Sequence, residues 1–138
     1  MKEENISFGE YIRKKRLSGP QELTQQDVAN HLGISFSYVS MVEKRRKPPF
    51  DGDKLESLAE FLQLSEEETA LMYDLASKET NEVPRDLKDT FMNDGIGRFA
   101  RFALRQSQAG FIDEEDWKTL IRKAAEKNKH IQGGTPDG

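Results

Sequence analysis

Residues 23–40, reading LTQQDVANHLGISFSYVS, hold two helix starts in close succession, and no other stretch restricts the fold as tightly. Thr24 is placed to cap a first helix, with Asp27 three residues later, and Leu23 and Val28 stand at the two positions of a hydrophobic staple. Val28, Ala29 and Leu32 then share one face, and Gly33 supplies a turn. The device repeats at once: Ser35 caps a second helix, Ile34 and Val39 form its staple, and Val42 lies one turn on. Two short capped helices joined by a Gly-containing turn of about 3–4 residues make a helix-turn-helix.

Helix geometry then sorts the side chains of the second helix. At about 100° per residue, Val39 and Val42 point to a core, with Tyr38 on the edge of that arc. The opposite face carries Phe36, Ser37, Ser40, Met41 and Lys44. A buried helix would be apolar there, and a merely solvated one would carry mostly Glu and Lys. Small hydroxyls and two apolar groups suit the floor of a DNA groove, where hydroxyls bond base edges and apolar groups meet thymine methyls. Lys44-Arg45-Arg46-Lys47 follows at once and ends at Pro48-Pro49. Four consecutive cations at the end of such a helix suit phosphate clamping. Tyr38 serves equally well as core packing, and Phe36 equally well as a shield over the core.

At these residues the chain resembles the Xre/Cro/C1 family of helix-turn-helix repressors, over residues 8–72. The resemblance is carried by LTQQDVANHLGIS, the SYVS element, Val42-Glu43 and the basic stretch ending in Pro48. It implies a five-helix, lambda-repressor-like DNA-binding domain. It also implies that Gln25, beginning the helix that crosses the DNA backbone, bonds phosphate, that Phe36, Ser37 and Met41 contact bases, and that Ser40 and the loop cations contact phosphate or flanking bases. The candidate base-reading set is thus Phe36, Ser37, Tyr38, Ser40 and Met41, and the candidate phosphate-binding set Thr24, Gln25, Lys44, Arg45, Arg46 and Lys47. The chain departs from the family pattern at Arg45, where the family usually has Gly, and at Phe36 and Met41, which replace polar or basic residues.

A formal charge of −4 at first opposes DNA binding, but its distribution answers the objection. Residues 1–50 hold nine Lys/Arg and six Asp/Glu, residues 51–82 two against ten, and residues 83–138 ten against nine. Phosphate contact depends on local positive charge, so a salt-sensitive and moderate affinity is expected. The chain has no Cys, which excludes disulfides and thiolate chemistry. No apolar run approaches a membrane span and the start carries no secretory signal, so a cytoplasmic, nucleoid-associated protein is expected. Catalysis is not indicated. His31 and His130 are the only histidines, and no metal-binding, nucleotide-binding or paired acid/base pattern occurs, so no catalytic residue, metal or cofactor is expected. The Gly95-Ile96-Gly97 pair reads as a helix boundary.

The capping signals recur along the chain, and strand-like alternation is not evident, so the expected fold class is all-α. Ser7 with Glu10 starts a helix that buries Phe8, Tyr11 and Ile12. A fourth helix is expected near Asp53, with Glu56 as its capping partner and a stripe of Leu55, Leu58, Ala59 and Leu62. A fifth is expected from Ser65 with Glu68, burying Leu71, Met72, Leu75 and Ala76. The expected organisation is a helix-turn-helix DNA-binding domain over residues 1–79, a linker over 80–86, a small helical module over 87–128 and a disordered tail over 129–138. In the module, Val83, Leu87 and Phe91 suggest a short helix, residues 96–107 a second, and Asp113 with Asp116 the start of a third.

The module is too short to bury two apolar faces alone. One face is Phe99, Ala103 and Leu104 with Phe102 beside it, and the other is Trp117, Leu120, Ile121 and Ala124. These eight are the candidate dimerisation residues, since two-fold dimers read two DNA half-sites. The expected partners are therefore double-stranded DNA and a second copy of the chain. The alternative is a protein-interaction module, such as an antitoxin whose last helices grip a protein partner. Arg98, Arg101 and Arg105 form a stripe with three readings, in order: a solvated face, pairing with the acidic fifth helix, or DNA backbone contact.

Overall fold

The computed structural model describes residues 5–132, which hold helices and turns. They run α1 (Phe8–Ser18), α2 (Gln25–Leu32), α3 (Phe36–Glu43), α4 (Asp53–Phe61), α5 (Glu66–Thr80), a 3-10 turn (Arg85–Leu87), α6 (Lys88–Met92), α7 (Ile96–Gln108) and α8 (Glu114–Gln132). The chain divides into two compact units, Met1–Lys88 and Asp89–Gly138.

The helix starts follow from short-range chemistry. At α1 the Ser7 hydroxyl accepts the Glu10 N–H at 3.0 Å while the Glu10 carboxylate accepts from Ser7. The same reciprocal bonds join Thr24 with Asp27 and Ser65 with Glu68. Ser35 caps α3 through the Tyr38 N–H, and Asp113 and Asp116 cap α8 reciprocally at 2.9 Å. Helix α4 departs from expectation. Asp53 is already its first residue, and the capping position belongs to Gly52, at φ 55° and without a side-chain bond. The reason lies just upstream: Phe50 is drawn fully into the core, edge-on to Phe8 at 5.9 Å, and the chain leaves that burial through a left-handed residue.

The core of the first unit joins Phe8, Tyr11 and Ile12 of α1 to Val28, Val39, Val42, Phe50, Leu55, Leu58, Met72 and Leu75. Helix α2 packs on α3 and α4, and α1 packs on α3 and α5. The α1–α3 approach is backbone on backbone, because a methyl group on Gly9 would overlap the carbonyl oxygens of Val42 and Glu43.

Lys15 of α1 reaches Glu68 of α5 at 2.8 Å. The Lys15 hydrogen bond first, and the Ser65 N–H second, hold the Glu68 carboxyl below the usual carboxylate range. A depressed folded value stabilises above the unfolded value, about 4.3, and is lost as pH falls through the folded one. Replacing Glu68 by Gln is therefore expected to cost under about 1 kcal/mol at pH 7, and less as pH falls below about 5. Urea unfolding at pH 7, 5 and 3 measures this, and a pH-independent difference would refute it.

The second unit is built around two corners. At the first, Arg101 donates to the carbonyls of Phe91 (2.6 Å) and Asn93 (3.0 Å), while the Asn93 side chain accepts from Gly95 and Gly97 at 3.0 Å each. Gly97 is buried, and a methyl group there would overlap the carbonyls of Thr90 and Phe91. At the second, Gly110 (φ 91°) ends α7, and the Phe111 N–H returns to Gln106 at 2.9 Å. Ser107 Oγ then donates to the Ile112 carbonyl and accepts the Trp117 indole N–H, both at 2.9 Å. Beyond this corner α7 and α8 do not lie against each other. Phe99, Phe102, Leu104, Leu120 and Ile121 are all exposed. The tail expected from Lys129 begins inside α8, and the His130 side chain and residues 133–138 lie outside the described residues.

Candidate nucleic-acid interface

The face of α3 is divided as helix geometry requires. Val39 and Val42 are buried, Ser37 is exposed, Ser40 and Met41 are half-buried, and Phe36 is 49% exposed. Phe36 therefore projects from the surface. Tyr38 is half-buried, its ring 5.6 Å from that of Phe50, and the Lys47 ammonium lies over it at 5.6 Å from the ring centroid. The structure thus places Tyr38 at the rim of the core, as a platform for Lys47 of the basic loop.

The basic loop is shaped by how α3 ends. Lys44 caps the helix, Arg45 takes φ 62°, and the Arg46 N–H returns to the Met41 carbonyl at 2.7 Å. This is the left-handed helix ending that normally selects Gly. The chain makes the same turn with a cation and leaves Lys44, Arg45, Arg46 and Lys47 all exposed. Arg45→Gly is expected to raise stability by about 1 kcal/mol, by relieving a left-handed non-glycine residue. Thermal unfolding reads this directly, and a lower Tm would refute it. Lys78 of α5 lines the same polar groove, of about 690 Å³, as Arg45, Arg46 and Lys47, and helix periodicity alone did not single it out.

Thr24 is spent on its own helix start, capping α2 with Asp27. That contact also holds the Asp27 carboxyl below the usual range, first through the Thr24 N–H. Gln25 is tied to a buried ion pair. Arg16 of α1 grips Glu43 of α3 with two nitrogens, Nε and Nη2, each at 2.9 Å, and its Nη1 donates to the Leu23 carbonyl at 3.0 Å. Gln25 Nε2 donates to the same Glu43 carboxylate at 2.9 Å. A carboxylate only accepts, so the Gln25 nitrogen must face it, and the second Nε2 hydrogen remains for a further acceptor. Sequence reasoning missed Arg16 and Glu43 as a pair. The signal was present: each is a charged residue on the buried face of its helix, and the two are opposite in sign.

His31 stacks on Phe61, ring centroids 4.2 Å apart, which gives it a packing role. Among the described residues no cluster of three or more His, Asp or Glu is placed to hold a metal ion, and no helix is long and apolar enough to cross a membrane. Arg101 of the expected stripe is engaged by backbone carbonyls, and Arg98 lies over the Phe99 ring at 5.3 Å.

A family model described as Helix-turn-helix matches residues 12–68, which takes in α2, α3, the basic loop and α4. No curated protein and no solved structure matches the chain. The matched segment carries the caps, the turn at Gly33, the divided face of α3 and the cationic loop, and its family is one of DNA-binding regulators. Over residues 12–68 this chain is similar to the Xre/Cro/C1-type helix-turn-helix family, whose model that segment matches.

Proposed function

We propose that this protein is a sequence-specific transcriptional repressor that occupies a pseudo-palindromic operator as a homodimer and so occludes a promoter. The observation that carries the reading is the outward face of α3, where exposed Phe36 and Ser37 and half-buried Ser40 and Met41 lead straight into four exposed cations. Phe36, Ser37, Ser40 and Met41 read bases, with Met41 meeting a thymine methyl. Tyr38 contributes to readout only by holding the rim on which Lys47 rests. Lys44, Arg45, Arg46 and Lys47, with Gln25 and the α2 start at Thr24, hold phosphates. The nucleoid is where such a protein acts, and no cofactor enters the mechanism. Dimerisation is supported by the exposed apolar faces of α7 and α8: Phe99, Phe102, Ala103 and Leu104 on one, Trp117, Leu120, Ile121 and Ala124 on the other.

Two sets of variants test the assignment. Lys44→Ala with Arg46→Ala is expected to weaken binding to all sequences and to flatten the log–log salt dependence by about 0.9 for each phosphate no longer neutralised. Ser37→Ala or Met41→Ala is expected to relax preference at particular operator positions by about 1–3 kcal/mol, leaving non-specific affinity nearly intact. Titrations at several salt concentrations and a randomised-site selection read the two effects. An unchanged slope would remove the clamp, and an unchanged consensus would remove the readout face.

A further inference from the structure

The outward face of α3 is short of the groups that tell bases apart by hydrogen bonding. Guanine is read by the paired donors of Arg or Lys, and adenine by the amide of Asn or Gln. Residues 36–43 contain none of these. Lys44 stands at the helix end, where it opens the run of exposed cations, and the one carboxylate, Glu43, is buried against Arg16. The face offers two hydroxyls, Ser37 and Ser40, and two apolar groups, Phe36 and Met41. A hydroxyl donates or accepts as needed, so Ser37 and Ser40 bond almost any base edge and separate the four base pairs weakly. Phe36 is 49% exposed and Met41 is half-buried. A phenyl ring has no hydrogen-bonding group, and a thioether sulfur is only a weak acceptor. Against a polar base edge they strip water without replacing its bond, which costs free energy. The apolar group that the major groove presents is the methyl at pyrimidine C5.

We propose that α3 reads this C5-methyl group itself, so that 5-methylcytosine serves in place of thymine at the base pairs met by Phe36 and Met41. This rests on the DNA-reading role of α3 and names the chemical class that α3 recognises. The two pyrimidines carry the same methyl and differ at position 4, an acceptor oxygen on thymine and a donor amino group on cytosine. Telling them apart takes a fixed donor or acceptor, which Phe36 and Met41 lack; unmethylated cytosine offers them no methyl. The two side chains also stand at different levels. At about 100° and about 1.5 Å per residue, Phe36 and Met41 lie at the two edges of the outward arc, with Ser37 and Ser40 between them, about 7.5 Å apart along the axis. Base pairs stack about 3.4 Å apart, so the two side chains meet different base pairs, and each α3 has two separate methyl-sensitive positions. Cytosine methylation at such a position turns a mismatched sequence into a binding site.

The test uses the full-length protein and synthetic duplexes carrying the consensus from a randomised-site selection. Each thymine in turn is kept, or replaced by deoxyuridine, by cytosine opposite guanine, or by 5-methylcytosine opposite guanine. The expected result is two positions for each α3 at which deoxyuridine weakens binding about fourfold, the factor for burying one methyl group, and at which 5-methylcytosine binds about fourfold better than cytosine. Phe36→Ala is expected to abolish both differences at one position, and Met41→Ala at the other, while affinity for unrelated duplex stays near that of the wild type. A consensus without thymine, or one at which neither deoxyuridine nor 5-methylcytosine changes affinity, overturns methyl readout and leaves the sequence-specific regulator standing. A methyl effect that persists in both variants belongs to other groups or to DNA stiffness, and overturns it likewise. The lack of any consensus overturns sequence-specific binding itself, and methyl readout with it.

Discussion

Replacing Glu43 by Ala is expected to cost about 3–5 kcal/mol, the range for breaking one side of a buried ion pair and a large part of the stability of a domain this size. The Arg16 and Glu43 side chains are 8% and 2% exposed, so water does not replace the missing carboxylate. Arg16 would keep only its bond to the Leu23 carbonyl, and Gln25 would lose the carboxylate that orients it. The double variant Arg16→Met with Glu43→Leu separates charge from packing. It leaves no orphaned charge and is expected to recover most of the stability, since apolar groups of similar volume often replace buried pairs without loss. Its DNA affinity is nevertheless expected to stay reduced, because nothing then orients Gln25 at the start of α2. Chemical denaturation and DNA titration of the wild type and the variants provide the comparison. A single variant within about 1 kcal/mol of wild type, below the range for breaking a buried pair, would show the pair to be dispensable.

Ending the chain after Lys88 is expected to leave a folded protein with little of its operator affinity. Every buried apolar residue of the described core lies at or before Ala76, so the first unit retains its packing. What is removed is the surface proposed to couple two reading heads. Linking two binding events raises avidity by about 10²–10⁴ without new contacts, so the fragment is expected to bind a full operator at least about 100-fold more weakly. A single half-site should be bound as before, with the same salt slope. A fragment that binds the full operator like the intact protein would show that pairing does not pass through α7 and α8.

The parts legible in the sequence are those fixed by residues three or four apart. Ser7, Thr24, Ser35, Ser65 and Asp113 each announce a helix start, because a capping side chain and the N–H it satisfies are neighbours in the chain. The division of α3 into a buried and an outward face follows from periodicity alone. Of the Arg16–Glu43–Gln25 network only the two buried-face charges were legible; their pairing with each other and with Gln25 was not, because the members come from three helices and 27 residues separate Arg16 from Glu43. Gly52 replaced Asp53 as the cap of α4 because burial of Phe50, a tertiary demand, fixed how the chain enters that helix. Tyr38 lay on the boundary between two faces, and only the position of Phe50 placed it at the rim. Of the arginine stripe, Arg101 turned inward to end α6, a role set by a chain reversal that helical projection does not contain.

The corner between α7 and α8 has a spectroscopic consequence. Trp117 is the single tryptophan of the chain, it is half-buried, and its indole N–H is held by Ser107. The first unit has no indole of its own. Intrinsic tryptophan emission is thus a native channel confined to the second unit. It shifts to shorter wavelength wherever that unit becomes covered and stays blind to unfolding events limited to the first unit. Tyrosine absorbance, with Tyr11, Tyr38 and Tyr73 all in the first unit, supplies the complementary channel. Covering of the second unit and folding of the first can therefore be followed separately in one unlabelled sample.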